Sequence, residues 1–195
     1  NCVYVDKTEL VYRLTHTDQV YFLSRPRRFG KSLLVSTLEA YFQGKKDLFR
    51  GLAMERLEQD WESYPVLHID FSISKYLSAH YLRSAINWFL ERWEREYGCC
   101  VEDKKGTPFS VRLGNVIESA YKKTGKAVVV LVDEYDSPML DTNSDVALQG
   151  ELRGIMRDFF SPLKGMGQYL RFLFITGISK FSQMSIFSEL NNLQN

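Results

Sequence analysis

The stretch Val20-Tyr21-Phe22-Leu23-Ser24-Arg25-Pro26-Arg27-Arg28-Phe29-Gly30-Lys31-Ser32-Leu33-Leu34 decides the reading of this chain. Its first five residues read as a short buried strand. From Lys31 the apolar positions recur at helical spacing, through Leu34, Leu38 and Tyr41. The cationic loop between them closes on Gly30-Lys31-Ser32, the end of a phosphate-binding loop. Glycine lets the backbone approach an anion, and the free N–H groups of the helix start point at it. Lys31 can reach the β- and γ-phosphates, and the hydroxyl of Ser32 is a ligand for Mg²⁺. The usual pattern carries another glycine five residues before Gly30, and here Arg25 stands in that place. A bare Gly-Lys-Ser triplet is a weak signal; a strand before it and a helix after it make it a strong one.

Outward from this stretch, three more segments read as buried strands: Val66 to Phe71, Val128 to Val132 and Leu170 to Thr176. They are apolar on both faces, as in a parallel sheet covered by helices on each side. Helical periods alternate with them. One runs through Leu82, Ile86, Phe89 and Trp93 to a stop at Gly98, and another through Leu113, Ile117, Ala120 and Tyr121 to Gly125. A third stripe runs from Leu148 through Leu152, Ile155, Met156 and Phe159 to Leu163. The alternation predicts an α/β fold, a parallel sheet sandwiched by helices. Ligands of such sheets sit beyond the carboxyl ends of the strands, here the loops after Ser24, Phe71, Val132 and Thr176. Cys99 to Thr107 reads as a surface loop, and no linker divides the chain, so residues 1–195 are expected to form one domain.

The second motif is Ala127-Val128-Val129-Val130-Leu131-Val132-Asp133-Glu134-Tyr135-Asp136. An apolar strand ending in Asp-Glu suits Mg²⁺-dependent nucleotide hydrolysis. Asp133 would hold the metal, and Glu134, facing another way, would polarise the attacking water. With the strand Val66 to Phe71 between the two motifs, the spacing points to the additional-strand class of P-loop ATPases. There the next strand carries a polar sensor between the motif strands. Thr176 takes that place, with Gly177, Ser179 and Lys180 beyond it. The arginines Arg25, Arg27 and Arg28 either neutralise phosphate charge, face nucleic acid or a partner, or are solvated. Asp136 and Asp141 frame the loop after the second motif, and no finger-type arginine can be chosen among Arg153, Arg157 and Arg171.

Composition excludes several classes. With 195 residues, 25 basic against 24 acidic and a net charge of +1, there is no global basic field for nucleic acid or anionic lipid. The longest aliphatic run, Ala127 to Val132, is far short of the ~18 residues of a membrane span. The cysteines Cys2, Cys99 and Cys100 and the scattered histidines His16, His68 and His80 offer neither a disulfide framework nor a zinc site. Free thiols fit a reducing, cytoplasmic location. The opening Asn1 and the lack of a leader pattern suggest a piece of a longer protein.

Four segments resemble the bacterial AAA-ATPase-like family. They are Tyr4-Val5-Asp6-Lys7-Thr8, Arg25 to Ser32, Asp133-Glu134-Tyr135-Asp136 and Thr176-Gly177-Ile178-Ser179-Lys180-Phe181-Ser182, and the likeness continues to Ser185 through Leu193. In that family an arginine before the phosphate loop is usual. The resemblance implies an AAA/STAND-type P-loop ATPase that uses ATP and Mg²⁺. Arg28, Phe29, Gly30, Lys31, Ser32 and Leu33 would bind the nucleotide, and Ser32 and Asp133 the metal. Lys31, Glu134 and Thr176 would act in catalysis. Members often carry a C-terminal domain similar to PD-(D/E)XK nucleases, which would make DNA a partner, and homo-oligomers are open. The last strand and the helical lid of AAA-type proteins are expected to be absent from this piece, leaving weak nucleotide affinity and little turnover. The reading is thus an ATP-binding, hydrolysing module governing an attached effector. Its rivals are a non-hydrolysing nucleotide- or DNA-binding interaction module and a P-loop phosphotransferase.

Overall fold

The computed structural model describes residues 5–104, 106–140, 142 and 145–178. Among these residues four strands, β1 (Val20–Ser24), β2 (Val66–Asp70), β3 (Val128–Asp133) and β4 (Leu170–Gly177), form one parallel sheet in the order β1-β4-β3-β2. The helices are α1 (Thr8–Thr17), α2 (Lys31–Phe42), α3 (Ala53–Leu57), α4 (Ala79–Tyr97), α5 (Phe109–Thr124), α6 (Ser137–Leu140) and α7 (Val146–Phe160).

The two central strands show why the sequence reads as apolar on both faces. Val128, Val130 and Val132 of β3 and Leu173 and Ile175 of β4 pack into a core with α4, α5 and α7. The intervening Val129, Leu131, Phe172 and Phe174 pack into a second core with α1, α2 and α3. Successive strand side chains point to opposite faces, so a sheet covered twice needs apolar residues at every position. The outer strands depart from that expectation. β2 alternates buried Leu67 and Ile69 with half-buried Val66, His68 and Asp70, because an edge strand is less fully covered. There His68 meets Glu39 of α2 at 2.9 Å.

α4 and α5 end at Gly98 and Gly125 as expected. β2 ends at Asp70, one residue before the expected Phe71, because the Asp70 carboxylate accepts the Ser72 N–H (2.8 Å) and starts a 3₁₀ turn, Phe71–Ile73. The stripe ending at Leu163 is helical only to Phe160. Pro162 cannot continue the ladder, and Ser161–Lys164 form a 3₁₀ turn that keeps Leu163 buried. Among the described residues no helix is long and apolar enough to cross a membrane. Cys2, Asp141, Ser179, Lys180 and the stretch 181–193 lie outside the described residues.

Candidate functional site

At the carboxyl edge of the sheet, Leu23 of β1 is level with Thr176 of β4 and Ser24 with Gly177. Val132 is level with Ile175, which sets Asp133 beside Thr176, and Asp70 of β2 is paired with Asp133. With strands ~4.8 Å apart, the end of β1 and Asp133 are separated by roughly 10 Å, with β4 between them.

The phosphate loop is built on backbone conformation. Residues 25–30 are all exposed, and Arg28 (φ 67°) and Gly30 (φ 76°) are both left-handed. Gly30 is the N-cap of α2 and supplies no side-chain cap. The N–H groups of Lys31, Ser32 and Leu33 have no partner inside the helix, whose ladder begins with Leu34 N–H donating to Gly30 O at 3.0 Å. Those amides are therefore left to an external acceptor, which the helix dipole favours when it is an anion. Arg25, which stands where a glycine is usual, continues the sheet instead: its N–H donates to Gly177 O at 3.1 Å, and its φ is not positive. The left-handed residues of the loop are Arg28 and Gly30, so an arginine at 25 carries no backbone strain.

Lys31 is only 4 % exposed, and its Nζ donates to Pro26 O at 3.3 Å, so the loop wraps its own ammonium. Ser32 and Leu33 are exposed on the first turn of α2, as are Arg28 and Phe29 in the loop.

On β3, Asp133 is 3 % exposed and Thr176 fully buried. Asp133 Oδ1 accepts the Thr176 hydroxyl and the Glu134 N–H (3.0 Å), and that N–H also lies 3.3 Å from Thr176 Oγ1. Glu134 is left-handed (φ 48°), an unfavourable conformation for a residue with a Cβ. That turn sends the two neighbouring carboxylates apart: Asp133 stays in the seam, while Glu134 accepts from Ser137 Oγ at 3.4 Å.

The strand ends are tied together by residues that the sequence singled out only weakly. Ile178 donates its N–H to Asp136 Oδ2 (2.8 Å), and its carbonyl accepts the hydroxyl of Ser24 (2.9 Å). Tyr135 N–H donates to Thr176 O at 3.0 Å. Asp136 is completely buried and Ser24 half-buried, so neither is a solvated turn residue. A buried aspartate three residues after Asp133 was visible in the sequence, but its partner lies 42 residues away. Asp6 and Thr8, quoted above without a role, clamp the N-terminal segment to α3. Asp6 Oδ2 accepts the Ala53 N–H (2.8 Å) and Thr8 Oγ1 the Met54 N–H (3.0 Å). Arg171 is at the other end of β4, its guanidinium near the rings of Phe42 and Tyr64 and donating to Thr15 O at 3.2 Å. Six residues of strand, about 20 Å, separate it from Gly177.

Chemically, this edge offers an ammonium, unsatisfied amides, one exposed hydroxyl and two diverging carboxylates. The oxygen donors Ser32 and Asp133 fit a Mg²⁺ ion, which keeps most of its waters and takes one or two protein ligands. Among the described residues there is no group of three or more His, Cys, Asp or Glu side chains that could hold a metal ion.

A family model described as "Predicted AAA-ATPase" matches residues 1–187. The chain belongs to the AAA-ATPase-like family. A protein from Azotobacter chroococcum mcd 1, named as an uncharacterized protein in the vnfD 5′ region, is 40 % identical over 191 residues. The match covers 97 % of this chain and 36 % of that protein, so the AAA-ATPase-like chain spans about a third of its relative's length. No solved structure matches it significantly.

Proposed function

We propose that this AAA-ATPase-like domain binds ATP with Mg²⁺ and hydrolyses it, as a regulatory or motor module for the rest of a longer protein. The observation that carries the reading is the row Ser24–Gly177, Thr176 and Asp133 along one sheet edge, with the buried Lys31 at its β1 end. Lys31 and the amides of residues 30–33 would hold the phosphates, with Arg28 and Phe29 completing the loop around them. Ser32 and Asp133 would hold Mg²⁺, which when bound neutralises phosphate charge. Glu134 would polarise the attacking water, and the buried Thr176 would orient Asp133 through its hydroxyl. The position of β4 between β1 and β3 supports the additional-strand class of P-loop ATPases.

The effector is a further proposal. A relative with nearly two thirds of its length outside the match has room for one, and the family resemblance favours a nuclease-like domain acting on DNA. A second reading has the exposure of Arg25, Arg27 and Arg28 behind it: a module that binds DNA through this loop. That reading requires salt-sensitive DNA binding indifferent to nucleotide. Calorimetry and phosphate release on the full protein separate the two. The ATPase reading expects Lys31→Ala to abolish ATP binding, and Glu134→Gln to bind ATP without turning it over. Equal ATP affinity in the lysine variant would overturn it.

A further inference from the structure

Past Asp133 the chain reaches across the end of β4 toward β1. Tyr135 N–H donates to Thr176 O at 3.0 Å, which carries the parallel pairing of β3 with β4 beyond Asp133. The next bond of a parallel ladder takes an N–H of the neighbouring strand, here that of Ile178, to a backbone carbonyl. The chain has already turned at the left-handed Glu134, and a side chain supplies the acceptor instead. Ile178 N–H donates to Asp136 Oδ2 at 2.8 Å. The Asp136 carbonyl accepts the N–H groups of Met139 and Leu140, both at 3.0 Å, so the residue is fixed from α6 as well.

The crossing is completed on the β1 side. Ile178 O accepts the hydroxyl of Ser24 at 2.9 Å, and Arg25 N–H, at the start of the phosphate loop, donates to Gly177 O at 3.1 Å. The Tyr135 ring passes Gly177, which has no side chain to block it, and packs edge-to-face on Phe22 of β1 at 5.5 Å. Asp136 is completely buried. A buried carboxylate is costly unless it is hydrogen-bonded, and its bond to an N–H is roughly twice as strong as one between neutral groups. The end of β4 is thereby held from both sides, by Asp136 and by Ser24.

We propose that Asp136 is a positioning residue that couples the phosphate loop to Glu134. Through Ile178 and Ser24 it sets where the loop leaves β1. Glu134 lies between two anchored aspartates, Asp133 bonded to Thr176 and Asp136 bonded to Ile178, so the same bond fixes the turn that aims its carboxylate. The proposal rests on the nucleotide reading above. Its consequence is that a change at Asp136, beyond β3, reaches nucleotide affinity at the end of β1, with β4 between them. A loss at Ser24 meets only the step from β4 to the phosphate loop and leaves Glu134 in place.

The test compares wild type, Lys31→Ala, Asp136→Asn, Asp136→Ala, Ser24→Ala and the double variant Asp136→Ala/Ser24→Ala in the full protein. Calorimetry gives the Mg-ATP affinity, phosphate release gives kcat, and mass spectrometry follows amide exchange without nucleotide. Asp136→Ala should lose severalfold in both ATP affinity and kcat. Ser24→Ala should lose severalfold in affinity with kcat nearly unchanged. Asp136→Asn keeps an oxygen for the Ile178 N–H and should recover most of both. The double variant should bind ATP no more weakly than Asp136→Ala, because both changes cut one path. Without nucleotide, Asp136→Ala and Ser24→Ala should each speed exchange in the segments carrying Ile178 and Arg25. An asparagine variant as impaired as the alanine one, affinity losses that multiply in the double variant, or wild-type affinity in Ser24→Ala would each overturn the coupling. Unmoved exchange at Arg25 in both single variants would overturn it whatever the nucleotide result. Should Asp136→Ala fail to fold, Asp136→Asn and Ser24→Ala decide: affinity and exchange unmoved in Ser24→Ala sink the proposal. A wild type that binds no ATP, or Lys31→Ala binding it equally, overturns the nucleotide reading itself, and exchange at Arg25 then still decides whether Asp136 holds the loop.

Discussion

Thr176 donates its hydroxyl to Asp133 Oδ1 across the seam between β4 and β3, and both side chains are buried. The bond joins two motifs 43 residues apart and orients the carboxylate at the strand end. Replacing Thr176 by valine keeps the shape and removes the donor. Asp133 keeps only the Glu134 N–H on that oxygen, and a buried acceptor short of a partner costs about 1–3 kcal/mol. Urea unfolding of Thr176→Val should show a loss in that range, while Thr176→Ser should restore most of it. A valine variant as stable as wild type would mean that the bond contributes nothing.

Gly177 sits where no side chain fits. A Cβ there would lie 2.3 Å from a ring carbon of Tyr135 and 2.9 Å from Asp136 Oδ1. The Tyr135 ring cannot swing away freely, because it is buried edge-to-face against Phe22 at 5.5 Å. Overpacking of this kind costs about 1–3 kcal/mol. For a chain of this length that lowers the midpoint by roughly 2–4 °C per kcal/mol. Thermal unfolding of Gly177→Ala checks it.

Asp6 gives the fold an acid-sensitive contact. The Thr8 hydroxyl, the Thr8 N–H and the Ala53 N–H all donate to its carboxylate and hold it below the ordinary 3.8. A depressed carboxylate stabilises the fold at pH values above 3.8, and that contribution fades as pH falls below 3.8 through the folded-state value. The stability difference between wild type and Asp6→Asn should therefore be present at pH 6 and disappear in strong acid. Denaturant unfolding at a series of pH values measures it, and a difference that grows on acidification would contradict the assignment.

A buried ion pair ties α5 to α4. Arg112 donates from Nε to Glu94 Oε1 (2.7 Å), from Nη2 to Oε2 (3.0 Å) and from Nη1 to Asn87 Oδ1 (2.5 Å), and both charges are almost wholly buried. Removing the arginine alone strands the carboxylate, at a cost of about 3–5 kcal/mol. Lys104 lies 3.5 Å from Glu94 and should keep Arg112→Leu toward the lower end of that range. The double replacement Arg112→Leu/Glu94→Leu should recover most of the loss, which equilibrium unfolding of the three variants would show.

How far the chain could be read in advance follows from how local each signal is. All four strands lie within a residue of where apolar runs predict them, because a doubly covered sheet writes its burial directly into consecutive residues. The ends of α4 and α5 were legible from Gly98 and Gly125 for the same reason. Among the candidate site residues, Lys31, Asp133, Glu134 and Thr176 stood out because phosphate loops and acidic strand ends are contiguous motifs. Asp136, Ser24 and Asp6 did not, since their partners are Ile178, Ile178 and Ala53, 42, 154 and 47 residues away. The harmless arginine at 25 was equally hidden: that it needs no positive φ, and that Arg28 adopts one, depends on how the loop leaves β1.

Periodicity, helix stops and two short motifs were enough on their own to specify a parallel α/β sheet and the candidate residues at its carboxyl edge, since each is settled by neighbours in the chain. Tertiary structure alone decided the strand order that brings Thr176 against Asp133, and the clamp of Asp6 and Thr8 on α3. It also set Arg171 at the far end of β4. Those outcomes depend on which distant surfaces bury each other, and no window of sequence holds both halves of such a contact.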